Sequence, residues 1–238
     1  MIKRIIFLAV CVLITLPCSV MGTPHIPEVE LTWFGDSNSG NWVSHYTPDD
    51  VKPNGDSSYN LEDTLKNGSF EAAWSLTFKP DPYVIAAVSV TNTASVTQTF
   101  TYIVTTPVSP PITPTSLHGG DMSGSFTTDP GGGTLSTASP VPLYYGLIDG
   151  SGVLQLYPDP SSWTRVSGGT TPIPYAGAGL PPSLPSGPVL TDIGIQFKFT
   201  LTPGDAVALT GYFEVIPEPG TICLLGLGAL GLFRKRKA

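Results

Sequence analysis

The chain has 238 residues, with 18 acidic against 11 basic side chains, 26 glycines and 25 prolines. All three cysteines (Cys11, Cys18, Cys223) and six basic residues lie in the two end segments. Between them residues 23–220 keep Lys52, Lys66, Lys79, Arg165 and Lys198 against all eighteen acids, a net formal charge of −13. That excess repels nucleic acid and anionic lipid, and a cysteine-free body excludes disulfide staples and thiolate metal sites.

Lys3 and Arg4 precede a twelve-residue run at 5–16 that is apolar except for Thr15, and Pro17 and small residues follow up to Gly22. This is the layout of a secretory signal peptide over residues 1–22, and its apolar run is too short to span a bilayer. Residues 23–215 then form the expected exported body. Its first stretch carries Trp33 and Trp42 around Asp36-Ser37-Asn38-Ser39-Gly40-Asn41. Oxygen ligands at Asp36 and Asn38 ahead of a glycine, with Asp49 and Asp50 close by, make a candidate calcium loop. The same residue types also form ordinary turns. Phe34-Gly35-Asp36-Ser37 is similar to the nucleophile block of GDSL esterases. The Asp-x-x-His base of that family has no counterpart among His25, His45 and His118, so the serine lacks activation.

Period-two patterning dominates the rest. Phe70, Ala72, Trp74, Leu76 and Phe78 share one face of a predicted strand, because strand side chains alternate. A β-branched run at 83–91 and the alternation of Phe100, Tyr102 and Val104 follow, and the spacing predicts a three-stranded antiparallel meander. Residues 107–190 are richer in proline and glycine. Short strands are expected near 123–127, 143–148 and 153–157, and residues 172–188 read as a long extended loop. Ile193, Ile195, Phe197, Phe199 and Leu201 then alternate. Pro203-Gly204-Asp205 turns the chain into a returning strand at 207–215. Short strands, polar turns and almost no helical period predict an all-β fold, a single antiparallel β-sandwich of jelly-roll or immunoglobulin-like type.

Residues 216–238 differ in kind. Pro217, Glu218, Pro219 and Gly220 are followed by an apolar run at 221–233, expected as a short helix, and by Arg234, Lys235, Arg236 and Lys237. The run spans only about 20 Å as a helix, against roughly 30 Å of hydrocarbon, while the basic cluster stops transfer and stays cytoplasmic. A segment of this kind suits transient anchoring followed by cleavage.

Motif, apolar run and basic cluster, in that order, resemble the PEP-CTERM sorting signal of Gram-negative bacteria. The resemblance implies an exosortase as partner, a membrane protease or transpeptidase that reads the motif. It also implies a precursor held in the inner membrane facing the periplasm, and a mature form at the cell surface or outside the cell. Bacteria using this route make exopolysaccharide, so a non-catalytic surface or matrix protein associated with exopolysaccharide or biofilm is the expected function. A carbohydrate-binding module is the alternative, with Trp33, Trp42, Trp163 and Tyr175 as candidate sugar contacts. Aromatic rings at strand ends also serve simply to cover a core. No resident cofactor is indicated apart from the candidate calcium.

Overall fold

The computed structural model describes residues 26–35, 38–79 and 82–218. The predicted signal peptide, Asp36 and Ser37, and the segment from Pro219 onward lie outside the described residues. The strands run in chain order as β1 Glu28–Gly35, β2 Asn38–Val43, β3 Lys52–Pro53, β4 Tyr59–Lys66, β5 Phe70–Lys79, β6 Tyr83–Asn92, β7 Gln98–Pro107 and β8 Ser116–Thr128. They continue as β9 Gly133–Thr137, β10 Tyr144–Ile148, β11 Ser151–Leu156, β12 Ser162–Arg165, β13 Gly169–Ala178, β14 Leu184–Ser186, β15 Asp192–Leu201 and β16 Ala206–Pro217. One short 3-10 turn, Pro48–Asp50, interrupts them.

Two antiparallel sheets result, neither closed into a barrel. One has the order β11-β10-β15-β7-β1-β2, with β9 also paired to β15 and β12 to β9. The other has the order β13-β8-β16-β6-β5-β4-β3, with β14 on the free edge of β8. Their alternating apolar faces meet in one core. Rings interlock across the gap, Phe70 of β5 lying 5.6 Å from Phe100 of β7 and Trp74 6.2 Å from Tyr102. A glycine makes room for rings of the opposing sheet. A Cβ on Gly211 of β16 would stand 2.8 Å from the Tyr144 ring and 2.9 Å from that of Phe197, both on the opposing sheet.

Each predicted alternation is present, but two predicted pairings are not. The strands at 83–92 and 98–107 were expected to neighbour one another in a meander. β6 pairs with β5 and β16, whereas β7 pairs with β1 and β15 in the other sheet. The strands around the turn at 203–205 divide the same way, β15 into the first sheet and β16 into the second. A strand with one apolar face buries it equally well beside its neighbour or across from it, so alternation alone leaves the choice open. Here the arches decide. The buried Asn92 side chain donates to the carbonyls of Val96 and Leu201, both at 2.9 Å, and accepts from the Ala94 amide. Its backbone exchanges hydrogen bonds with Gly204 and Asp205, so the two crossovers brace each other. The proline-rich stretch at 172–188 is extended as expected, but much of it is paired to β8 as β13 and β14. The pairs β1–β2 and β4–β5 complete the sheets in a region where the sequence pattern marked only β5.

Candidate functional site

Two places combine functional residue types with a defined geometry. The first is an open crevice of about 550 Å³ beside the segment that joins β2 to β3. Trp42 on β2, with His45 and Tyr46 just after it, forms one side. Asp49, Asp50 and Lys52 form the second, and Glu62 and Asp63 of β4 the third. Asp50 folds back to accept from the Thr47 amide at 2.7 Å and the Thr47 hydroxyl at 2.9 Å, which holds the 3-10 turn in place. Those two bonds, the amide first, keep its carboxyl below the usual carboxylate range.

A hydrogen-bond relay underlies the crevice. The Trp74 indole N–H donates to the Tyr46 hydroxyl at 2.9 Å, and that hydroxyl donates to Asp63 Oδ2 at 3.1 Å. Burial pushes the Tyr46 phenol well above its ordinary value, partly opposed by the Trp74 bond and reinforced by the Asp63 charge. It therefore stays a proton donor. Trp42 lies 5.2 Å from Trp74 and 6.5 Å from Tyr46, so its ring is fixed between the core and the crevice. An indole flank, a fixed phenol and four carboxylates against one lysine can stack on an apolar ring face and accept hydrogen bonds from hydroxyl or amino groups. Tyr46 and Asp63 were not legible as site residues. One signal was available: Asp63 shares its strand face with Leu61 and Leu65, and an acid at an inward position needs a partner.

The structure disperses the other sequence candidates. Trp33 packs on Phe70 at 4.9 Å and covers Gly40, so its ring is part of the core wall. Trp163 on β12 meets Tyr157 edge-on at 5.2 Å. Tyr175 is 67% exposed on β13, where its hydroxyl reaches Asp121. Neither β12 nor β13 lines the crevice. Tyr144 on β10 is fully buried and donates to the Tyr212 carbonyl at 2.8 Å. Of the calcium candidates, Asp36 lies outside the described residues and the Asn38 side chain is not described. Asp49 and Asp50 stand exposed on the turn. Among the described residues no three His, Cys, Asp or Glu side chains converge to hold a metal ion.

The second place is the end of β16, a central strand flanked by β8 and β6. Its pairing with β6 ends at Glu214↔Tyr83, with the Val215 amide on the Pro82 carbonyl. Pairing with β8 continues through Ile216↔Leu117 and Pro217↔Ser116, and the Glu218 amide donates to the Thr115 carbonyl at 3.4 Å. The first residue of the Pro-Glu-Pro-Gly motif is thus the last of the strand, and the second is held just beyond it by one hydrogen bond. Pro219, Gly220 and the basic cluster Arg234 to Lys237 lie outside the described residues.

Residues 215–237 match the PEP-CTERM protein-sorting motif. The motif marks an exported protein processed at the membrane by an exosortase. No other family matches the body, and no curated protein matches the chain.

Proposed function

We propose that this is a non-catalytic surface or extracellular-matrix protein, a β-sandwich body exported through residues 1–22 and released or transferred after an exosortase acts at Pro217, Glu218, Pro219 and Gly220. The observation that carries the reading is the sorting motif at 215–237, which begins within a central strand of the folded body. Glu218→Ala is the test. The variant is expected to keep residues 234–237, visible as a heavier protein retained in the membrane fraction. Unchanged mature mass and surface display would refute recognition at this motif. Association with exopolysaccharide follows from the destination, and retention of the mature protein in the matrix of polysaccharide-producing cells, compared with polysaccharide-deficient cells, measures it.

The crevice favours a second, compatible reading as a carbohydrate-binding module. Trp42 supplies a stacking face, and Glu62 and Asp63 supply acceptors for sugar hydroxyls. Trp42→Ala is expected to abolish binding on a glycan array. Its midpoint of urea unfolding should fall less than that of Trp74→Ala, because Trp42 is only half-buried. Array signals identical in the wild type and Trp42→Ala would exclude the crevice as the site.

A further inference from the structure

The sorting motif and the fold share residues, and this overlap has a consequence for processing. Pro217 is at once the last residue of β16 and the first of the motif. On the β8 side the ladder runs past the point where β6 lets go, through Pro217 opposite Ser116, to the Glu218 amide on the Thr115 carbonyl. The receiving strand is itself anchored. Ser116 has no exposed surface, and its hydroxyl donates to the Gly187 carbonyl at 2.8 Å. Glu218 is half-buried where it leaves the sheet.

An enzyme that reads this motif as extended chain needs the backbone groups along it. β8 and Thr115, the residue just before it, occupy one edge of that backbone at Pro217 and Glu218. The sequence offers little slack to supply a free copy, since only Pro219 and Gly220 separate Glu218 from the apolar run at 221. Two residues reach about 7 Å when fully extended. With the body folded, Pro217 and Glu218 are therefore held against β8 and the residue before it, and only about 7 Å of chain can separate them from the apolar run.

We propose that β8 acts as a latch on the sorting signal: the exosortase engages the motif only after Pro217 and Glu218 peel away from Thr115 and Ser116, so the folded body restrains its own processing. The latch is weak in construction. Proline contributes no N–H, and the Glu218 bond at 3.4 Å is at the long limit of a hydrogen bond. Release therefore slows processing by a modest factor, roughly two- to tenfold, the range of one or two ordinary backbone hydrogen bonds.

The inference rests on exosortase recognition of the motif, and its test separates the two. Six Gly/Ser residues are inserted between Ile216 and Pro217 in the full-length precursor, leaving the motif, apolar run and basic cluster intact. Conversion of precursor to mature protein is followed by pulse-chase in cells carrying the exosortase. The expected result is a processing half-time shortened two- to tenfold. An unchanged half-time overturns the latch, and a lengthened one shows that the body end instead serves as a docking platform. Glu218→Ala, made with and without the insert, reports on the underlying reading: if it leaves processing intact, motif recognition fails rather than the latch. Hydrogen exchange on the uncleaved, detergent-solubilised precursor gives a readout independent of the enzyme. With each rate divided by its intrinsic value, the Glu218 amide is expected to be more protected than that of Gly220, and the insert is expected to remove the difference. Equal protection in the unmodified precursor would overturn the proposal.

Discussion

Trp74 links the core to the crevice, and truncating it tests both. Its side chain is 3% exposed, packs 5.2 Å from Trp42 and 6.2 Å from Tyr102, and donates to the Tyr46 hydroxyl. Trp74→Ala removes a large ring from between two sheets that cannot collapse independently, at a cost of about 3–5 kcal/mol. Trp74→Phe keeps most of the apolar volume and loses the hydrogen bond. That contributes about 0.5–1.5 kcal/mol, plus a smaller packing loss for the missing ring. In urea unfolding, with a slope of about 2 kcal/mol/M, Trp74→Ala should lower the midpoint by about 1.5–2.5 M and Trp74→Phe by well under half as much. The measurement suits the cysteine-free body, residues 23–218, followed by circular dichroism. Equal midpoints for the two variants would mean that the polar relay, not packing across the sheets, holds this region. A shift below about 0.5 M for Trp74→Ala would refute burial between the sheets altogether.

Gly211→Ala places a methyl group 2.8–2.9 Å from Tyr144 and Phe197, and should destabilise the body by about 1–3 kcal/mol through overpacking. A neutral effect in the same urea assay would show that the sheets can move apart. His118, 5% exposed on β8, has its imidazole held below its ordinary value by burial, with the Val153 backbone opposing the shift in part. A depressed folded value means that the unfolded chain binds more protons, so stability falls as pH drops from about 7 through the ordinary histidine value near 6.5 and on toward the lower folded one. The melting temperature of the wild type should therefore drop more between pH 7.5 and 5.5 than that of His118→Gln, and parallel slopes would refute the assignment.

What could be read along the chain was whatever is local. Phe70, Ala72, Trp74, Leu76 and Phe78 share a strand face whatever the strand pairs with, because extended backbone alternates its side chains. All five are buried, Trp74 at 3% exposure and the other four at or below that. The sorting signal was equally legible, because its motif, apolar run and basic cluster are contiguous. Pairing was not local. β6 and β7, and β15 and β16, look like hairpin partners in sequence, yet each pair is split between sheets by arches that Asn92 and the 204–205 backbone lock together. The crevice likewise depends on distant segments. Trp42, Tyr46, Asp63 and Trp74 come from β2, the loop after it, β4 and β5, and only the β4–β5 register sets Asp63 opposite Trp74. The end of β16 shows the division most plainly. The chain states that Pro217 and Glu218 belong to a sorting motif. Only the sheet decides that they lie against Ser116 and Thr115, because a strand's hydrogen-bonding edge is satisfied by whichever strand the whole core brings beside it.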